Sequence, residues 1–256
     1  MNIYVCVKHV PDTAATIRIN ADGSIDENIT FIMNPYDENA VEAAVQLNKQ
    51  TADAEVIAVT LGNQSAEATL RSALAMGADR GILITSAERL DSIATARALC
   101  AAIKADGIPD IVFMGKESID SEGFQTMYRL GACLDCPVVS NALEFSMTER
   151  SVRVTCEMES GDLEHITMET PCVIGAGKDL NQPSYPKLPD ILKARKKPLN
   201  IIALADLKMD MPASRVEMLS MEALNEERQP TVIDGAVDEI ADAIVQILRD
   251  KAKVID

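Results

Sequence analysis

Short apolar runs alternate with amphipathic stretches through the first half of the chain. "IYVCVK" (3–8), "EVIAVTL" (55–61), "RGILIT" (80–85) and "DIVFM" (110–114) are short and rich in β-branched residues, which predicts strands covered on both faces. Between them, "AVEAAVQL" places Ala40, Ala43, Ala44 and Leu47 on one helical face, and "AEATLRSALAM" and "DSIATARALCAAIKA" read as further helices. Strands that alternate with helices in this way form parallel sheets with right-handed crossovers. The expected fold is a doubly wound, mainly parallel, Rossmann-like α/β sheet.

From Pro137 the rhythm changes to "VVSNALEFSM", "SVRVTCEM", "LEHITMET" and "CVIGAG", separated by turn signals such as "SGD". These four runs are expected to extend the sheet antiparallel. A Pro-rich stretch follows, with Pro183, Pro186, Pro189 and Pro198 among Lys187, Lys193, Arg195, Lys196 and Lys197. It reads either as a docking element presenting Tyr185 or Leu188, or as a linker with solvated charges. After an arm, "NEERQPTVIDG", a terminal helix carries Val237, Ile240, Ala241, Ile244, Ile247 and Leu248 on one stripe. Another subunit or the chain's own domain must cover that stripe; the pattern allows both. Residues 1–222 are taken as one domain and 223–256 as an arm with its helix.

Composition narrows the chemistry. Hydrophobic residues make up 47% of the 256 but aromatics only 3%, so the core is aliphatic and closely packed. A net charge of −16 opposes binding to nucleic acid. No apolar run reaches the roughly 18 residues of a membrane span, and the N-terminus reads as a strand, not a secretory signal. The six cysteines (Cys6, Cys100, Cys133, Cys136, Cys156, Cys172) lie mostly in apolar segments, as expected of reduced thiols in a cytoplasmic protein. "CLDC" (133–136) has the spacing of a redox or metal pair, but no second pair accompanies it. It also falls near a helix end, where a thiolate is poorly stabilised.

Ligands of doubly wound sheets gather at the carboxyl ends of the strands, where strand order reverses. The most distinctive such end is "GKESIDSEGFQT" (115–126), a small and polar loop leading into the helix "FQTMYRLGACL". The helix start suits a phosphate, yet the same residues suit a simple cap with Ser121 at the N-cap and nothing bound. Neither G-x-x-x-x-G-K-[ST] nor G-x-G-x-x-G occurs. Lys8, His9 and Lys116 stand at strand ends where an anion would meet them, but isolated residues of these types are ordinarily solvated. With two histidines, His9 and His165, and no hydrolase or zinc motif, no catalytic acid–base set is evident.

Five stretches together, "VKHVPDT", "MNPYDENAVEAA", "LAMGADRGI", "GKESIDSEGFQT" and "LNQPSYPKLPDILKARKKP", resemble the β subunit of electron-transfer flavoproteins over nearly the whole chain. The resemblance implies one half of an αβ heterodimer that carries electrons without turnover chemistry of its own. It implies FAD held mainly by the α subunit and a structural AMP in this chain. AMP contacts carried over by motif are Cys6, Asn34, Pro35, Tyr36, Asp37, Leu61, Gly115, Lys116, Glu117, Ser118, Ile119, Asp120, Ser121, Glu122, Gly123, Phe124, Gln125 and Thr126. The Pro-rich segment is similar to the family's recognition loop, with Leu188 as the anchor for a donor flavoprotein dehydrogenase such as an acyl-CoA dehydrogenase. A quinone oxidoreductase is the implied acceptor, and the C-terminal arm and helix would dock on the α subunit.

Two alternatives remain on the residues. An electron-bifurcating branch carries a second FAD in place of AMP and tends to read "DGDTAQ" where this chain has "DSEGFQ" (120–125); AMP is the reading adopted. A free-standing adenine-nucleotide-binding regulator would use the same strand ends without a partner.

Overall fold

The computed structural model describes residues 1–20, 23–26, 28–211, 213–222 and 230–255. Its first strand, β1 (Asn2–Cys6), is followed by a small antiparallel ribbon, β2 (His9–Pro11) with β3 (Phe31–Met33). Helix α1 (Pro35–Gln50), β4 (Glu55–Gly62), α2 (Glu67–Met76), β5 (Arg80–Thr85), α3 (Ser92–Asp106) and β6 (Ile111–Gly115) then alternate. After α4 (Thr126–Leu134) come β7 (Val138–Thr148), β8 (Ser151–Glu157), β9 (Leu163–Glu169) and β10 (Cys172–Ala176). The chain continues through α5 (Leu188–Ala194) and β11 (Leu199–Ala203) to α6 (Val237–Gln246).

The main sheet has nine strands in the order β11-β5-β4-β1-β6-β10-β7-β8-β9. From β1 the chain winds outward through β4 and β5, then returns to lay β6 on the other side of β1. That reversal makes the gap between β1 and β6 the topological switch point. Alternate residues of β1 serve opposite faces, as a pleated strand requires. Ile3 and Val5 join a core that includes Ala40, Ala44 and Leu70 from α1 and α2, whereas Tyr4 and Cys6 join one that includes Leu99, Ile103 and Leu130 from α3 and α4. The expected doubly wound α/β sheet is thereby realised.

Two parts of the sheet differ from the sequence expectation. The run at 172–176 is no part of the antiparallel extension: β10 inserts between β6 and β7 and is parallel to both. All five of its residues are buried, as suits an inner parallel strand. Only β8 and β9 pair antiparallel, outward from β7, and the alternating exposure of β9 matches an edge with one wet face. The other difference is β11, not foreseen in the sequence, which pairs parallel with β5 at the opposite edge. Of the arm expected at 223–256, residues 223–229 lie outside the described residues.

Candidate functional site

The carboxyl ends of β1 and β6 are tied together by one side chain from α1. Asp37, in the first turn of that helix, accepts the Lys8 amide at 2.7 Å through Oδ2 and the Gly115 amide at 2.8 Å through Oδ1. The carboxyl is buried, and burial pushes its pKa up to about 7 against the pull of those donors and of Asn34. Gly115 is required for this closeness, because a Cβ there would lie 2.5 Å from Asp37 Oδ1 and 2.6 Å from Tyr36 Cβ. Cys6 ends β1 directly beside this pair, its thiol pushed far up by burial and by Asp37.

Asn34 performs the same service one step further along the loop. Its Nδ2 donates to Glu117 O at 2.8 Å and its Oδ1 accepts from the Ile119 amide at 3.1 Å. Both ends of the buried amide therefore hold loop backbone. Lys116 N bonds Ala176 O at 3.1 Å, which joins the loop to β10 as well. Leu61, near the end of β4, is half-buried against the core beneath α3 and α4.

Lys8 reaches over the loop from β1. Its Nζ donates to Asp120 Oδ1 at 2.6 Å, to Ser118 Oγ at 3.0 Å and to Ser121 Oγ at 3.3 Å. Burial opposes the charge on Asp120, yet Lys8, Ser118 and Arg89 hold its carboxyl below the ordinary range. Lys116 sits over the rings of Tyr36 and Phe124, with centroids 5.4 and 6.0 Å from Nζ. Burial raises the Tyr36 pKa, and the Glu117 carboxylate adds to the shift. Pro35 occupies the first turn of α1 and is exposed. His9 lies elsewhere, stacked on Phe31 and bonded to Thr69 and Ser65.

The loop then turns into α4 through two residues of left-handed backbone, Glu122 (φ 44°) and Phe124 (φ 50°), on either side of Gly123. This defers the helix to Thr126, so Ser121 is not its N-cap; that position falls to Gln125, which makes no side-chain cap bond. Ser121 instead closes a turn on Ser118, whose Oγ lies 2.8 Å from its own. The first turn of α4 carries no acidic residue, in contrast to α1 with Asp37 and Glu38. Helix α3 is also closed, by Asp91 accepting the Ile93 and Ala94 amides. Neither α1 nor α4 has a side-chain cap bond, and α4 alone of these two has no acidic residue in its first turn, a start of the kind that suits an anion. The sequence-predicted loop, Asn34–Asp37 and Cys6 meet here; Lys8, which the sequence offered either as an anion contact or as a solvated lysine, and Arg89, which it did not single out, join them through Asp120.

A model of the electron transfer flavoprotein domain matches residues 22–207 of the chain. The electron transfer flavoprotein subunit beta of Bacillus subtilis is 34% identical over 260 residues, covering 100% of both chains. That of Homo sapiens is 36% identical over 228 residues, 87% of this chain and 88% of its own. That of Dictyostelium discoideum is 32% identical, with 99% of each covered. The chain belongs to the electron transfer flavoprotein β-subunit family.

This electron transfer flavoprotein family member carries two more exposed apolar surfaces. Helix α5 packs on α2 and turns Leu188 (69% exposed), Ile191 and Leu192 outward, with Tyr185 (94% exposed) just before it. Leu188 opens the helix with Pro189 in its first turn; it is not held in an extended segment. Helix α6 buries none of its residues, and Val237 at its start is 82% exposed. The six cysteines are free thiols, and burial, with Asp135, raises the pKa of Cys136. Among the described residues no cluster of His, Cys, Asp and Glu could hold a metal ion, and no helix is long and apolar enough to cross a membrane.

Proposed function

We propose that this chain is the β half of a heterodimeric electron transfer flavoprotein, an electron carrier that binds AMP as a structural nucleotide. The observation that carries the reading is the α4 helix start at the β1/β6 switch point, reached through a loop that Asn34, Asp37 and Lys8 hold in place. The phosphate would lie on backbone amides around Gln125 and Thr126, with Tyr36, Leu61 and Phe124 beside the nucleoside. FAD, held mainly by an α subunit, would supply the redox chemistry. The exposed stripe of α6 is then covered by that subunit, which favours a heterodimer over a free-standing regulator. Leu188 and its neighbours on α5 would receive a donor flavoprotein dehydrogenase, and the electrons would pass on to a quinone oxidoreductase.

Denaturing the purified protein with its copurifying partner and identifying the released nucleotides tests this. AMP and FAD in equal amounts is the expected result. FAD alone, at twice the amount per heterodimer, would replace the AMP reading with a second flavin. Release of no nucleotide attributable to this chain would defeat it.

A further inference from the structure

We propose that Cys100 and Cys133 form an oxidisable thiol pair, a site at which a peroxide closes a disulfide between α3 and α4. The C-x-x-C spacing at 133–136 points to Cys136 as the partner of Cys133, but the structure brings Cys133 a partner from another helix. Cys100 and Lys104 stand one turn apart on α3 and meet the end of α4 together. Cys100 Sγ donates to the Cys133 carbonyl at 3.3 Å, and Lys104 Nζ donates to the same oxygen at 2.8 Å. The Cys133 thiol in turn stands within hydrogen-bonding reach of Cys100. The Cys100 sulfur is therefore held by both the backbone and the side chain of Cys133, across two packed helices.

The remaining thiols are less suited. Cys6 and Cys172 are buried, and burial pushes both thiols up. Cys156 belongs to the core on the other face of the sheet from Cys100 and Cys133. Cys136 follows the left-handed Asp135 (φ 57°), and burial, with the Asp135 carboxylate, raises its pKa. Burial also raises the Cys100 thiol, although the Lys104 ammonium pulls it the other way. Cys133 is only partly buried, so a peroxide reaches it first. Its thiolate sulfur attacks one peroxide oxygen, the O–O bond breaks, and hydroxide leaves with the Cys133 proton as water. The sulfenic acid so formed is attacked by the Cys100 sulfur. The S–S bond forms as the S–O bond breaks, and the second hydroxide leaves with the Cys100 proton as water. Two thiols lose two electrons, and one peroxide becomes two waters.

The test treats the full-length chain in its purified assembly with hydrogen peroxide, blocks the remaining thiols with N-ethylmaleimide and locates the bridge by mass spectrometry. Trypsin with Asp-N puts Cys100 in 98–104, Cys133 in 130–134 and Cys136 in a third peptide. The expected product is 98–104 joined to 130–134, released by dithiothreitol. Cys136→Ser should keep this bridge. Cys100→Ser should lose it and leave a Cys133 sulfenic acid that dimedone traps. In urea the folded geometry is gone and sequence proximity governs, so oxidation should move to the short 133–136 loop. Absence of the 98–104 to 130–134 bridge in the folded parent overturns the proposal. So does a folded product dominated by Cys133–Cys136, or the same mixture of bridges from folded and unfolded chains.

Discussion

Arg71 and Lys197 cap each other's segments. Arg71 Nη1 donates to the carbonyls of Ala194 and Lys197, each at 3.0 Å, at the end of α5. Lys197 Nζ donates to the carbonyls of Leu74 and Ala78, at 2.9 and 2.6 Å, at the end of α2. Each cation meets a negative dipole end and orphan carbonyls. The Pro-rich stretch is thus bolted to the sheet, and α5 presents its outer face from a fixed base.

Lys197→Met keeps most of the apolar stem and removes the donor. The expected cost is roughly 1–2 kcal/mol, the range for charged hydrogen bonds and helix-end cations. It should appear as a lower urea midpoint, with amide exchange faster across 188–198. A parent-like midpoint and parent-like exchange would mean that packing of α5 on α2 suffices without the caps.

Gly115→Ala should be among the most damaging single changes at the switch point. The added methyl would meet Asp37 Oδ1 at 2.5 Å, Tyr36 Cβ at 2.6 Å and Tyr36 backbone carbon at 3.0 Å. Relief requires moving the start of α1, which would break the Asp37 bonds to both strand ends. The expectation is a loss of about 2 kcal/mol or more in chemical denaturation, together with depleted nucleotide. Unchanged stability and full nucleotide content would show that α1 yields freely.

Asp37 predicts a pH dependence whose sign can be worked out. Its carboxyl is raised from 3.8 to about 7 in the fold. Between roughly pH 4 and 7 the folded chain therefore holds a proton the unfolded chain has released, so this group favours folding at low pH and its contribution is lost as pH rises towards 7. The slope is at most about 1.4 kcal/mol per pH unit. Asp37→Asn cannot titrate and should flatten the change in urea midpoint across that window, while lowering stability throughout because its amide NH₂ faces a backbone donor. A parent-like slope in the variant would assign the titration to another group.

Docking through α5 is tested by Leu188→Ala. Leu188 is exposed on a helix held by Arg71 and Lys197, so little ordering is needed before it enters a pocket. Burial of one leucine is worth on the order of 1.5–3 kcal/mol, which predicts roughly ten- to a hundredfold weaker binding of a donor dehydrogenase. Flavin content and reduction by dithionite should not change. Neutralising Arg195 and Lys196 should instead slow association in a salt-dependent way. Identical donor kinetics for Leu188→Ala and the parent would remove α5 from the docking model.

Local pattern was enough for the elements whose partners are neighbours in sequence. The run 80–85 coincides with β5, and Ala40, Ala43, Ala44 and Leu47 are all buried on α1. It was not enough where a distant residue decides. Lys8 could be read as solvated because Asp120, its partner, lies 112 positions away. The slot of β10 depends on strands the run cannot see, although its unbroken burial is the mark of an inner parallel strand. Ser121 has the chemistry of an N-cap, but left-handed backbone at Glu122 and Phe124 delays the helix past it. The Pro-rich stretch gave no sign of a helix at Leu188, although proline in a first turn also starts helices.

The insertion of β10 also fixes an order of events during synthesis. The chain lays down β6, moves on to β7, β8 and β9, and only then returns to fill the place between β6 and β7. When residues up to about 170 have been made, β6 and β7 each still lack the neighbour that β10 later supplies, an unpaired inner edge. The five residues Cys172–Ala176 are the keystone. Truncated chains ending before them would lack the strand that joins β6 to β7 and so the sheet's two halves.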